Sequence, residues 1–391
     1  MNIKFIISII LLKIFVSDLG YSQDMKTAEK EVHSLLNKTI KRDSKVHDAF
    51  LLVHSDKLDI HWNYYISKTI DVEIPFEENY YFHGASVSKT LTSVAIAMLF
   101  EQGMIDFNNP INKYLSEDII KGLHAYKGND YSDKILIKHL LNHTSGIPDY
   151  LSGKSAEGLG FFEYCIKNPE KTWTPIETIN WAKKNGTSNF PPGEGYNYTD
   201  TEYQLLGLII ERITGKDYHQ VLDEFFFKPL NMYHSSLWLY SEPQKKSKYP
   251  LTKVYINKTE VSTFKSINFD WATGGIVTTS EDLLVFMKAL NENKLIKAAT
   301  FQKMQEWQKD TKGIYYGYGL MQYRFKELFF TLPDENITGH SGSIGAFMYY
   351  NPTYDIYFTG SFNQSKYERK HIVFIIKIMD IISKNVKEIE R

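Results

Sequence analysis

Cysteine is almost absent from this 391-residue chain. The single one, Cys165, cannot close an intramolecular disulfide or build a multi-cysteine metal site. Neither sign of charge predominates: 45 Lys+Arg stand against 46 Asp+Glu, a formal net charge of −1. Without a basic surplus to neutralise phosphates, nucleic acid is not expected as the main partner. Only 12 prolines occur, and 43% hydrophobic with 23% charged residues excludes a disordered or collagen-like chain. No phosphate loop or dinucleotide fingerprint is found, so nucleotide chemistry has no support. Long apolar runs are missing as well: past the N-terminal segment, no stretch stays apolar for the ~18 residues that a membrane span needs.

What is present begins with a sorting signal. Met1–Ser22 carries Lys4, the apolar run Phe5-Ile6-Ile7-Ser8-Ile9-Ile10-Leu11-Leu12, and small residues before Gln23. The run is short for a bilayer span, so residues 1–22 read as a secretory signal peptide, with an uncleaved anchor as the alternative because Lys13 interrupts it. No cysteine near the cleavage site permits acylation. An exported chain without disulfides fits the bacterial periplasm or a bacterial secretion. No stable membrane span is expected after cleavage.

Residues 29–41 have helical spacing, with Val32, Leu35, Leu36 and Ile40 on one side. Ala49–His54 and Leu58–Ser67 read as a strand hairpin across Ser55-Asp56-Lys57. Tyr80–His83 is a short strand, Thr90–Gln102 an apolar and hence buried helix, and Ile135–Leu141 a further helix. Thr174-Pro175-Ile176-Glu177 supplies a capping threonine, a first-turn proline and a third-position glutamate, with Gly186 to close the helix. Tyr203–Ile213 is a helix ended by Gly215, and Thr279-Ser280-Glu281-Asp282 resembles a second capping box. Strands are predicted at Tyr315–Tyr323, Leu328–Leu332, Ala346–Tyr350 and Ile356–Phe362, then a terminal helix at Ile372–Ile382. The fold class is therefore α/β (α+β): an antiparallel sheet flanked by helices and built from both chain ends. Residues 23–104 and 266–391 form the catalytic lobe, and 105–265 an inserted, mostly helical lobe.

Ser86-Val87-Ser88-Lys89 lies between the short strand and the buried helix. At i and i+3 the hydroxyl and the amine share a face, one turn apart. A serine hydroxyl needs a neighbour to accept its proton. An amine held neutral by burial can do so, and a helix N-terminus favours developing negative charge. The pattern alone is common on exposed helices; its company gives it weight. Pro192-Gly193-Glu194-Gly195-Tyr196-Asn197-Tyr198-Thr199-Asp200 precedes an apolar helix, and Gly339-His340-Ser341-Gly342 precedes a strand. Together these resemble the S-x-x-K, Y-x-N and [KH]-[TS]-G motifs of the serine β-lactamase and penicillin-binding-protein superfamily. The branch is that of class C β-lactamases, DD-peptidases, D-aminopeptidases and related esterases. Leu140–Tyr150, Tyr203–Glu211 and Thr273–Thr279 also resemble it, and the likeness covers roughly residues 30–385.

The resemblance implies roles. Ser86 becomes the acyl-accepting nucleophile, Lys89 its general base and Tyr198 a proton shuttle, its phenol partly ionised beside an ammonium. Tyr196 begins a literal Y-x-N, but the spacing from Pro192-Gly193 to Tyr203 favours Tyr198, which makes Asp200 the counterpart of the asparagine. A carboxylate only accepts hydrogen bonds, where an amide also donates. Asp200 either pairs with Lys89 or repels a substrate carboxylate, or it merely caps the next helix. His340 replaces the motif's lysine, giving a substrate carboxylate a weaker, pH-dependent attraction. Ser341, Gly342 and Ser343 complete the substrate edge, with the backbone N–H groups of Ser86 and Ser343 as the oxyanion hole.

No cofactor or metal is implied. His139 and His143 lack the glutamate of an H-E-x-x-H site, His54 and His61 read as sheet residues, and Cys165 as packing. The implied function is acyl-enzyme hydrolysis of D-amino-acid peptide or ester bonds in a small molecule or short peptide related to the cell wall. The alternatives are a class C-like β-lactamase and a non-catalytic penicillin- or peptide-binding pseudoenzyme.

Overall fold

A computed structural model describes residues 25–68 and 80–389; the segment read as a signal peptide lies outside them. In chain order, helix α1 (residues 25–42) leads into strands β1 (Asp48–Ser55), β2 (Ile60–Ser67) and β3 (Phe82–His83). Helices α2 (Ser88–Glu101), α3 (Ile137–Leu141), α4 (Pro175–Asn185) and α5 (Asp200–Thr214) follow. Then come β4 (Ser236–Leu237), β5 (Ile276–Thr278), α6 (Ser280–Asn291), β6 (Gln308–Thr311), β7 (Ile314–Tyr316) and β8 (Met321–Arg324). β9 (Asn336–Ser341), β10 (Ala346–Asn351), β11 (Ile356–Ser361) and α7 (Lys370–Ile389) end the order. No helix of the described residues is long and apolar enough to cross a membrane.

Eight strands form one sheet in the order β6-β7-β8-β9-β10-β11-β1-β2, each neighbouring pair antiparallel. β11 lies between β1 and β10, so the two chain ends share a sheet, as expected. Successive side chains point to opposite faces of a strand. Leu51 and Val53 accordingly pack with Val32 and Leu36 of α1 and Ile375 and Ile378 of α7. Phe50 and Leu52 join the larger core on the other face, with Val94 of α2 and Leu283 of α6. Burial on both faces explains why β1 reads as a nearly continuous apolar run.

α2 carries the site at its N-terminal end. Its polar side chains are satisfied although buried: Thr90 Oγ1 donates to Gly319 O at 2.8 Å and Thr92 Oγ1 to Ala272 O at 2.7 Å. The first capping box forms in both directions, Glu177 N to Thr174 Oγ1 at 3.2 Å and Thr174 N to Glu177 Oε2 at 2.8 Å. The second forms in one direction only. Thr279 accepts from Asp282 N, while the Asp282 carboxylate takes Ser235 Oγ and His234 N instead.

Two strand expectations are corrected. Residues 315–323 divide into β7 and β8 around a turn that lies on α2. Leu328–Leu332 is not a strand. A helical turn, Phe325–Leu328, occupies its start, and Phe329 and Phe330 are 64% and 88% exposed. The sheet uses the less apolar Asn336–Ser341 instead, whose polar side chains find partners on both faces.

Candidate active site

The backbone turns sharply ahead of Ser86. β3 pairs with β5, and Gly84 N donates to Ile276 O at 2.8 Å. Ala85 then takes φ +47°, in the left-handed region, a conformation that costs a non-glycine residue about 1–3 kcal/mol. A 3-10 turn, Ala85–Val87, runs directly into α2. Ser88 Oγ ties it down, donating to Ala85 O at 2.8 Å and accepting from Ile276 N at 3.2 Å. Ser86 is left half-buried, the reachable member of a buried group.

Lys89 is fully buried, and its Nζ meets three acceptors: Asp200 Oδ1 at 2.5 Å, Thr273 O at 2.9 Å and Ser86 Oγ at 3.2 Å. Three N–H bonds used in this way describe an ammonium with its charge paired, and not the neutral amine expected from burial alone. The structure selects among the readings of Asp200. It is the first residue of α5, makes no side-chain cap, and forms the ion pair with Lys89. Its N–H donates to Asp149 Oδ1 at 3.2 Å, which fixes the carboxylate's origin.

The Tyr198 ring centroid is 5.1 Å from Lys89 Nζ, and Ser86 is among the groups that act on its phenol. Tyr196 lies a layer further back, 6.2 Å from the Tyr316 ring. Burial, reinforced by the Asp200 carboxylate, pushes the Tyr198 phenol well above its ordinary value. It is therefore a proton-bearing phenol, contrary to the expectation of partial ionisation.

β9 closes the other side. His340 Nδ1 donates to Ser341 O at 2.8 Å, so in the neutral ring Nε2 accepts, taking the Tyr316 hydroxyl at 2.9 Å. Burial, with Lys89 nearby, lowers the His340 imidazole to about 3. The expected pH-dependent attraction for a carboxylate is therefore absent near neutral pH. Gly342 lies on the turn before Ser86; a Cβ there would stand 2.8 Å from Gly84 O and 3.0 Å from Ala85 Cβ. Ser343 is exposed beside it. Neither the Ser86 nor the Ser343 N–H donates to another described residue.

Ser341 is brought elsewhere. Strand alternation turns its hydroxyl to the far face, where Oγ lies 2.7 Å from His371 Nε2 and 2.5 Å from the Tyr349 hydroxyl. His371 Nδ1 is committed to Tyr367 O, and burial lowers this imidazole to about 4. Its Nε2 thus accepts from Ser341, and Ser341 in turn accepts from Tyr349.

His143, read from sequence as structural, belongs to the site's inner wall. Its ring centroid is 4.2 Å from Tyr198 and 4.4 Å from Tyr316. Nδ1 contacts Glu202 Oε2, whose partner oxygen accepts from Ser145 Oγ at 2.5 Å. Burial holds His143 well below and Glu202 well above their ordinary values, so a neutral imidazole meets a carboxylic acid. Thr199 N donates to the same Nδ1 at 3.3 Å, which places the shared proton on Glu202. The partners are 59 positions apart, and no spacing signal in the sequence links them. Cys165 is buried as expected, its thiol pushed up to about 12 by burial.

A cavity of about 280 Å³ opens beside Ala85 and Ser343, walled by Phe162, Trp238, Ile267 and Phe269. An apolar recess next to a paired serine and ammonium can hold an acyl group while the serine attacks it.

Known proteins resemble this chain in sequence and in fold. Penicillin-binding protein 4* of Bacillus subtilis (strain 168) is 31% identical over 159 residues, 40% of this chain and 31% of that protein. The curated relatives compared are longer, and this chain covers 31% to 59% of their length. A D-stereospecific amidohydrolase from Streptomyces sp. has TM-score 0.71 at 22% identity, covering 85% of this chain and 94% of its own. The D-amino acid amidase of Ochrobactrum anthropi SV3, complexed with D-phenylalanine, has TM-score 0.72 at 18% identity, covering 92% and 99%. These two likenesses show a shared fold. The family model described as Beta-lactamase matches residues 38–375, and the chain, with its antiparallel sheet and its serine and lysine at the head of a buried helix, belongs to that family.

Proposed function

We propose that this protein hydrolyses amide or ester bonds of D-amino-acid-type acyl donors through an acyl-enzyme on Ser86. The observation that carries the reading is the contact of Lys89 Nζ with Ser86 Oγ at 3.2 Å, with the Tyr198 ring 5.1 Å from the same Nζ. Ser86 Oγ attacks the carbonyl carbon as its proton passes to Lys89, Asp200 holding the proton that Lys89 gives up. The backbone N–H groups of Ser86 and Ser343 take the oxyanion. The proton reaches the leaving amine or alkoxide through Tyr198, whose phenol carries one to give and is refilled from Lys89. Water then repeats the sequence in reverse, releasing the acid and restoring the serine.

β-Lactam hydrolysis is the second reading, supported by the penicillin-binding relative, but neutral His340 supplies no charge for a β-lactam's carboxylate. The proposal includes export, on the strength of residues 1–22.

A fluorophosphonate and a fluorescent β-lactam, each followed by mass spectrometry of the adduct, test the assignment. Label is expected on Ser86, and Ser86→Ala should lose it and slow turnover by about ten-thousand-fold or more while remaining folded. Folded wild-type protein that takes neither probe is the pseudoenzyme of the alternative reading. Rapid turnover of a chromogenic cephalosporin would favour the β-lactamase.

A further inference from the structure

The cavity beside Ser86 is more selective than its apolar walls suggest. Among its lining residues, Asp270 and Glu368 carry carboxyl groups, and no lysine or arginine balances them. Asp270 is half-buried and close to the nucleophile. A Cβ placed on Gly274 would be 3.0 Å from Asp270 Oδ2 and 3.2 Å from the carbonyl carbon of Ala85, the residue before Ser86. The carboxyl has little support of its own: Thr273 Oγ1 reaches Oδ1 only at 3.4 Å, while donating at 2.8 Å to the Asp270 carbonyl. Lys89, the nearby cation, is committed to Asp200, Thr273 and Ser86. His83, another residue of the lining, is lowered to about 4 by burial and adds no charge. A carboxyl in an aromatic recess, without a cationic partner, is an unmet demand for a positive charge.

We propose that Asp270 recognises a free ammonium group on the acyl donor, so that the preferred substrates are amides or esters of amino acids with an unblocked α-amine and an apolar or aromatic side chain. This rests on the proposed acyl-enzyme chemistry at Ser86 and refines it. The carbonyl carbon lies at Ser86, the α-carbon stands at the cavity entrance, the side chain packs against the wall formed by Phe162 and Phe269, and the ammonium pairs with Asp270. Burial raises the Asp270 carboxyl to about 7, with the Asp200 charge adding to it. An arriving ammonium supplies the counter-charge that makes its ionisation favourable. An N-acylated donor, such as a blocked peptide stem, offers no cation and leaves the carboxyl unpaired.

The test compares full-length protein on the p-nitroanilides of D- and L-phenylalanine and on their N-acetyl counterparts. The free-amine substrate of the hydrolysed enantiomer should be favoured by about 10- to 100-fold in kcat/KM, and Asp270→Asn should collapse that ratio toward one. Because the ratio is read within each protein, a general loss of activity in the variant does not mimic the effect.

A variant-free measurement stands beside it. Phenethylamine should protect Ser86 from fluorophosphonate at about tenfold or more lower concentration than 2-phenylethanol, which has the same shape without the charge. Equal protection, or a ratio unchanged in Asp270→Asn, overturns the role of Asp270 and leaves the hydrolase reading intact. Absence of Ser86 labelling overturns the hydrolase reading, and this inference with it.

Discussion

At Lys89 three acceptors surround one ammonium, and this explains how Asp200 can stand where an amide is usual in the family. The amide can give a hydrogen bond as well as accept one, whereas here every neighbour of Nζ accepts, so a carboxylate suits the position better. Removing it should be costly. Asp200→Ala leaves a fully buried ammonium without its counter-ion and is expected to lose about 3 kcal/mol or more of stability, read by urea denaturation. A variant as stable as wild type would show that the pair is not holding Lys89.

His340 gives a second residue-scale expectation. Its folded value of about 3 lies below the ordinary 6.5, so the unfolded chain binds the proton first on acidification. Its contribution to stability is complete above pH 6.5 and is lost as pH falls toward about 3. The His340 imidazole signal in NMR should therefore not titrate between pH 5 and 8, and a midpoint inside that range would contradict its burial. Ser86, Lys89, Tyr198, Asp200 and His340, which the fold brings together, are marked in the sequence by motif spacing. Asp270 is not. Its significance depends on a cavity assembled from loops far apart in the chain, and one aspartate in a sequence says nothing about whether a cation stands opposite.

At the scale of elements, β9 divides its residues between two tasks by alternation. His340 faces Tyr316 and Tyr198, while Ser341 faces the layer of α7. The motif spacing found the strand end but could not show that one of its side chains points away from the chemistry. Ser341→Ala removes a hydroxyl that both donates to His371 and accepts from Tyr349, so about 1–3 kcal/mol of stability should go. Labelling of Ser86 should persist; its loss in a folded variant would return Ser341 to the substrate site. The elements most clearly written in the sequence are those with a clean period, such as the first hairpin, α4 and α6. The misread one, 328–332, is apolar but solvent-exposed, a case where composition and burial part company.

At the scale of the molecule, the pattern of strands at both ends around a helical middle was enough to give the sheet's origin. Its register was not, because it depends on which edge of β11 meets which strand. The fate of residues 1–22 is likewise a property of the whole chain in its cell. Protein recovered from outside the cytoplasm should begin at Gln23 by N-terminal sequencing, and intact Met1 on exported material would indicate an uncleaved anchor.

The place of β11 has a consequence for how the molecule comes into being. A chain still emerging from the ribosome carries Ser86, Lys89, Tyr198, Asp200 and His340 well before residues 356–361 appear. Until they do, the first hairpin has no backbone ladder to the described strands that follow α6. Of the described strands the last made thus joins the first, and the eight-stranded sheet becomes continuous only once residues 356–361 are present.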